Sequence, residues 1–150
     1  MAVIVLIILG VVGSFVGVIV PNLNKSKQFT HETAAIENVK AIGQGQALYA
    51  VTKGKGRFAD LKTLADEDCI DVALGYGQRS GYLFTSTPIN IPGMEPKYDT
   101  TARPISTGGY GTGNRSFASN ETNIIYEAPG STELRGTAED RTPRRGTPVQ

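Results

Sequence analysis

Few residues of this chain are suited to chemistry, because it has a single histidine, His31, and a single cysteine, Cys69. One cysteine excludes an intrachain disulfide and a zinc site built from cysteines, and one histidine leaves little histidine chemistry. Cys69 lies between Asp68 and Ile70, and a neighbouring carboxylate disfavours the thiolate, so a small buried side chain is expected here. No nucleophile, base and orienting group can be assembled. The sequence predicts no catalytic residues and a protein that is not an enzyme.

Two segments have the composition of ligand sites but lack the required spacing. Residues 66–71 hold four carboxylates without the alternating oxygen ligands and the glycine of a calcium loop, so we expect a solvated connector and no metal site. Residues 108–113 read GGYGTG, with neither the lysine of a P-loop nor an immediately following helix. We expect this segment to be a flexible loop between strands. No cofactor is predicted.

The cations in KGKGR, at residues 53–57, raise the question of nucleic-acid binding. The chain has 15 basic and 14 acidic residues, a formal net charge of +1, which argues against a polyanion-binding protein. Three clustered cations without an aromatic stacking pattern are weak evidence for such a partner. Glycine and basic residues also suit the end of a helix, so no nucleic-acid partner is required.

The elements that would position these residues begin with an apolar segment. Residues 1–21 contain no charged side chain, and the first twenty would span roughly 30 Å as a helix, the thickness of a bilayer hydrocarbon core. A buried helix of a soluble protein is rarely apolar on every side over that length. A secretory signal peptide would need a positively charged start, a shorter apolar stretch and an A-x-A-like cleavage site. We therefore expect a membrane-length helix.

The charges around this segment bear on its orientation. Lys25 and Lys27 follow it and no basic residue precedes it, so the positive-inside rule would place most of the chain in the cytoplasm. A basic leader that once preceded Met1 and was removed resolves this conflict, and we favour that hypothesis. Pro21 lacks an amide donor and is predicted to break or kink the helix where the apolar run ends.

An amphipathic segment follows over residues 22–54. From Phe29 onward, apolar side chains recur in steps of three and four, which predicts a helix that buries one stripe. The predicted stripe consists of Ile36, Val39, Ile42 or Gly43, Ala47, and Ala50 or Val51.

Residues 55–128 have the pattern of a loop-rich antiparallel sheet. Short strand-like runs are separated by proline, glycine and asparagine, as in strands joined by hairpins and loops. The helix is the only long amphipathic element available to cover them. The predicted fold class is therefore α+β, with a long N-terminal helix, first apolar and then amphipathic, packed on about four antiparallel strands. The runs are residues 81–85, 97–102, 115–118 and 124–127.

The C-terminal residues 129–150 have few apolar side chains and many charges, prolines and glycines. Such a composition cannot bury enough apolar surface to order itself. We expect a polar tail that is disordered or that orders only against a neighbouring molecule.

The order of these elements resembles that of the type IV pilin superfamily of bacterial filament subunits. The resemblance covers roughly residues 1–128, and order and spacing carry it more than any single motif. The best local matches are VPNL at residues 20–23, LYAVTKGKGRFADLKTL at 48–64, RSGYLFTSTP at 79–88, Tyr98 and the strand at 115–117.

The resemblance implies a structural subunit that polymerises through its N-terminal helix into an extracellular filament, a type IV pilus. Prepilin peptidase would cut the precursor, the new terminal residue Met1 would be N-methylated, and the unassembled subunit would reside in the inner membrane. ATPase-driven assembly machinery would then build a helical homopolymer, with residues 4–20 in its core and the head outside. Adhesion, motility and DNA uptake remain open as its use.

Glycines and other small residues suggest how the helix would pack and where it would bend. The residues at positions 10, 13, 14 and 17 share one helix face and would permit close approach of another helix. Gly43 and Gly45 are the places where we expect the helix to bend or melt. The residues assigned to packing in the filament core are Ile4, Val5, Gly10, Gly13, Ser14 and Gly17.

One departure from the family pattern leaves alternatives open. Family members usually carry a glutamate near the amino terminus, whereas Ile4 and Val5 are apolar and no acidic residue precedes Glu32. A pseudopilin of a type II secretion system is one alternative. A membrane-anchored periplasmic binding domain that never polymerises is another.

Overall fold

The computed structural model describes the backbone of residues 2–134, 141–143 and 145–149, and the side chains within those ranges from residue 23 onward. The helices are α1 (Ala2–Thr52), α2 (Leu61–Asp66) and α3 (Val72–Gly75), and the strands are β1 (Gln78–Arg79), β2 (Tyr82–Ile89), β3 (Lys97–Pro104), β4 (Arg115–Asn120), β5 (Tyr126–Pro129) and β6 (Thr147–Pro148).

The strands form one antiparallel sheet in chain order, so the predicted α+β class is confirmed. The predicted strands correspond to β2, β3, β4 and β5, but the described residues form six strands and not about four. The two additional strands, β1 and β6, have two residues each, too few for an alternating pattern to show. A tight turn at Ser80 and Gly81, both with positive φ, joins β1 to β2.

One face of α1 covers the sheet and forms the core with it. The helix buries Ala35, Val39 and Ile42 against the aromatic side chains of Phe84 and Phe117. The predicted stripe is thus correct at residues 39 and 42. It is wrong at Ala47, which is exposed because Gln46 occupies the buried position of that turn.

The helix α1 continues without interruption from Ala2 to Thr52. Its backbone is helical at Pro21, so of the predicted break or kink the break does not occur. A proline removes one backbone donor, and the remaining hydrogen bonds can keep the flanking turns helical.

After the helix, Lys55 and Gly56 adopt positive φ, and the amide of Gly56 donates to the carbonyl of Ala50 (2.8 Å). This geometry confirms that KGKGR ends a helix.

Gly43 and Gly45 are helical and buried, so this conformation shows no melting at either position. A Cβ atom at Gly45 would lie 2.8 Å from the carbonyl oxygen of Cys69 and closer still to the side chain of Ile70. A Cβ atom at Gly43 would lie 2.9 Å from Oδ1 of Asn123. Both glycines therefore give neighbouring segments room to approach the helix.

The described part of the C-terminal tail packs on the chain's own sheet, so the expectation of a tail that orders only against a neighbouring molecule is wrong for these residues. Leu134 is 1% exposed and lies in a cluster with Ala118 and Ala128. Thr147 pairs with Glu127 in the register of β5 and β6. The sequence of the tail did not predict this packing, because the partners of its few anchoring residues are distant in sequence.

Replacing Gly45 by alanine is expected to destabilise the head, although alanine favours a helix by about 1 kcal/mol over glycine. The added methyl group must displace the backbone of Cys69, and overpacking of this kind costs about 1–3 kcal/mol. Thermal unfolding of the full chain in detergent, followed by the near-ultraviolet circular dichroism of tyrosine, measures the effect. The exposed neighbour variant Gln44→Ala is the control, and a Gly45→Ala variant with an unchanged or higher Tm would contradict the argument.

Candidate functional site

The residues proposed to pack in a filament core lie at the start of α1. The side chains of Ile4, Val5, Gly10, Gly13, Ser14 and Gly17 lie outside the described residues, as does Met1. In the part of the chain whose side chains are described, no helix has a stretch long and apolar enough to cross a membrane. The described residues show how α1 is attached to the head and which face of α1 is exposed.

The exposed face of α1 on the head is apolar near both ends and charged between them. Phe29 is 67% exposed and Val51 is 85% exposed. Glu37 and Lys40, which are also exposed, lie between them. An exposed helix face of this mixed character is suited to contact with another protein surface and offers no group of catalytic residues.

A partly buried ion-pair network attaches the middle of α1 to β4. Glu32 is 7% exposed, and its Oε2 accepts from Nε of Arg115 (2.9 Å) while its Oε1 accepts from the amide of Asn114 (2.7 Å). The guanidinium also donates to Glu127 (2.6 Å). Burial alone lowers the pKa of Arg115, but hydrogen bonds and charge interactions with the two carboxylates raise it overall. Arg115 is consequently a permanent cation that holds the helix to two strands.

The loop between β3 and β4, residues 105–114, is fixed to α1, so the expectation that its GGYGTG segment is flexible is wrong. Nε2 of Gln28 donates to the carbonyl oxygens of Gly108 (2.5 Å) and Gly111 (3.1 Å). Nδ1 of His31 lies 3.1 Å from the carbonyl oxygen of Thr112. These contacts give His31 a structural partner and close the head at the end where α1 leaves it.

A third polar contact holds the C-terminal end of α1. Gln46 is fully buried, donates to the carbonyl of Ala59 (2.5 Å) and accepts from the amide of the same residue (3.0 Å). It also donates to the hydroxyl of Ser86 (2.8 Å). Sequence reasoning missed Gln28, Glu32 and Gln46, although all three lie in the same three-and-four spacing as the buried apolar residues.

The acidic segment caps short helices and pairs with a lysine. The Asp71 side chain accepts from the amide of Ala73 (2.7 Å) at the start of α3, and Glu67 lies 3.1 Å from Lys53. No group of three or more histidine, cysteine or acidic side chains that could hold a metal occurs among the described residues. Cys69 is the small side chain expected here and packs partly buried against the core, with Sγ 3.5 Å from the carbonyl oxygen of Glu67.

Arg141 attaches the C-terminal tail to the sheet. Its guanidinium donates to Glu121 (2.6 Å), to Asp99 (2.7 Å) and to the carbonyl of Tyr98 (2.9 Å). Burial alone raises the pKa of Glu121, but the hydrogen bonds from Arg141 lower it overall. Burial, with a smaller effect of Glu121, raises the pKa of Tyr98 to about 12. The tail is therefore held by charges that are buried with their partners.

In comparisons with protein-family models, with curated proteins and with solved structures, nothing matches this chain.

Replacing Glu32 by glutamine is expected to destabilise the head by roughly 1–3 kcal/mol, because the guanidinium of Arg115 then loses one of its two charged partners in a partly buried site. Denaturant unfolding of the full chain in detergent measures the change. The matched control is Asp66→Asn, which removes an exposed partner of Lys62 and is expected to change stability much less. Equal effects of the two substitutions would show that the network does not hold α1 to the sheet.

Acid is expected to loosen the tail before it unfolds the sheet. The pKa of Glu121 is lower in the folded chain than in the unfolded chain, so its stabilising contribution is complete above the unfolded value of about 4.3 and is lost as pH falls through the folded value. Hydrogen exchange of residues 141–149, corrected for intrinsic rates and compared with β2, should increase in that range. Glu121→Gln should exchange fast at every pH, and a wild-type tail that stays protected at low pH would contradict this account.

Proposed function

We propose that this protein is a structural subunit that polymerises through α1 into an extracellular filament of the type IV pilus kind. Before assembly, the subunit resides in the inner membrane through residues 1–21. Its partners are other copies of the same chain, together with prepilin peptidase and the pilus assembly machinery. The head is displayed on the outside of the filament.

The observation that carries this proposal is the length of α1 relative to the head. The helix has 51 residues and a length of roughly 75 Å. Its buried contacts with the head extend from Gln28 to Gln46, a distance of about 28 Å. More than half of the helix is therefore not required by the head, and the part before Gln28 includes the uncharged segment.

The uncharged segment needs an apolar environment, which a bilayer or a bundle of identical helices can provide. Residues 1–21 carry no charge, and every backbone amide and carbonyl within a helix can be paired internally. Assembly would keep these side chains away from water after the subunit leaves the membrane. Since α1 is continuous, a helix packed in a filament core would carry its head at a fixed orientation.

The lack of an N-terminal glutamate restricts how the filament can form. No acidic residue precedes Glu32 in the sequence, and Glu32 is bound to Arg115 inside the head. Pairing between a carboxylate and the amine of a neighbouring subunit is thus unavailable in the first half of α1. Close packing of small residues at positions 10, 13, 14 and 17 is the interaction left to hold copies together.

Replacing Gly13 by leucine is expected to abolish filaments without loss of the subunit from the membrane, because an isobutyl group keeps neighbouring helices apart. Material sheared from cells that produce the protein would be examined by electron microscopy, and the membrane fraction by immunoblotting. The control Val12→Leu adds apolar volume about 150° around the helix from the centre of the small-residue face and should retain filaments. Wild-type cells with subunit only in the membrane would favour the anchored binding domain instead.

A further inference from the structure

The end of the head where α1 leaves it carries exposed apolar and basic side chains. Leu23 is 55% exposed, Phe29 is 67% exposed and Tyr110 is 87% exposed. Lys25 and Lys27 are also exposed. We name these five residues the helix-exit surface.

Tyr110 belongs to this surface because its loop is fixed to α1. Gln28 donates to the carbonyls of Gly108 and Gly111, which lie on either side of Tyr110 in the chain. The amide of Gly111 also donates to the carbonyl of Gly108 (3.0 Å), and Gly108 has a φ of +95°, which glycine adopts without strain. A phenol ring is thus displayed in solvent at the tip of a turn that is anchored on both sides.

The helix-exit surface is positive. No acidic residue occurs among residues 1–31, and residues 105–114 carry no charge. The nearest carboxylate in sequence, that of Glu32, is 7% exposed and bound to Arg115. Lys25 and Lys27 are therefore the charged members of the helix-exit surface, and none of its five residues is acidic.

The position of the surface along α1 matches the headgroup region of a bilayer. Lys25 follows the uncharged residues 1–21 by four positions, which is about 6 Å along a helix. Tyrosine and lysine are suited to this depth, because each has an apolar body and a polar tip. Anionic headgroups attract basic residues that lie next to a membrane helix.

We propose that the helix-exit surface docks on the headgroups of an anionic bilayer while the subunit is unassembled, with Tyr110 among those headgroups. This inference rests on one part of the proposed function, the residence of residues 1–21 in a membrane, and does not depend on polymerisation. Docking would hold the head upright on the membrane, with its opposite end facing away.

The opposite end of the head supplies an internal control. Strand β2 runs from Tyr82, whose hydroxyl donates to the carbonyl of Arg115, to Ile89, and Asn90 then binds the backbone of Phe58 beyond the end of α1. The next loop includes Met94, which is 54% exposed. Met94 is therefore an exposed apolar residue at the end of the head that would lie farthest from the bilayer.

Tryptophan fluorescence can locate these residues, because the chain contains no tryptophan. The full chain would be reconstituted into vesicles of phosphatidylglycerol and phosphatidylcholine, with or without bromine on the acyl chains near the headgroup. Three variants, Tyr110→Trp, Met94→Trp and Phe15→Trp, report on the helix-exit surface, the opposite end of the head and the apolar segment. Bromine quenches only those indoles that contact lipid.

The expected result is bromine quenching and a shift to shorter wavelength for Tyr110→Trp and Phe15→Trp, with neither change for Met94→Trp. Quenching of Phe15→Trp alone would overturn the docking inference and leave membrane residence intact. Absence of quenching in both Tyr110→Trp and Phe15→Trp would overturn the docking inference and membrane residence together. Equal quenching of Met94→Trp and Tyr110→Trp would overturn specific docking. A shift of the Tyr110→Trp emission to shorter wavelength without quenching would also overturn it, because such a shift indicates contact with another copy of the chain.

The charge contribution has its own test in the same vesicles. Adding Lys25→Gln and Lys27→Gln to Tyr110→Trp should reduce its quenching in vesicles that contain phosphatidylglycerol to the level seen in phosphatidylcholine alone. Lys55→Gln, an exposed lysine beyond the other end of α1, should leave the quenching unchanged. Undiminished quenching in the double lysine variant would exclude anionic headgroups as the ligand of this surface.

Discussion

The contact between one face of α1 and the sheet is the interaction on which the rest of the head depends. The sheet presents Phe84 and Phe117 on the side that Val39 and Ile42 cover, and these side chains are almost completely buried. Without the helix, that side of the sheet would expose aromatic surface to water, at a cost of roughly 25 cal/mol for each square ångström. The helix is thus part of the core of the head and cannot move independently of it.

Apolar contact is not directional, so the rotation of α1 about its axis needs additional constraints. Gln28, Glu32 and Gln46 provide them, because each binds backbone groups in a specific geometry along the buried stripe. A rotated helix would leave these polar groups buried without partners. The same three residues therefore determine which face, with Phe29 and Val51 on it, is left for contact with other molecules.

The features that the sequence predicts correctly are those with a local period. Val39 and Ile42 follow the helical spacing, and the four longer strands are separated by turn residues. Features that depend on distant partners were missed or misjudged. The packing of the tail could not be predicted from its own residues, because the carboxylates that bind Arg141 lie about twenty and forty residues earlier. The sequence predicts a bend or melting at Gly45, because only the folded chain brings Ile70 against this glycine.

Under the proposed function, in which the subunit passes from membrane to filament, the chain needs contacts of two strengths. The core contacts of α1, with the buried Glu32 and Gln46, must persist throughout, since they keep the head folded. If the helix-exit surface docks on a bilayer as proposed, its contacts must be released when the helix leaves the bilayer. Two lysines near an anionic surface contribute about 1 kcal/mol each, which is weak enough to reverse. In this proposal, the persistent contacts lie inside the head and the reversible ones lie where α1 leaves it.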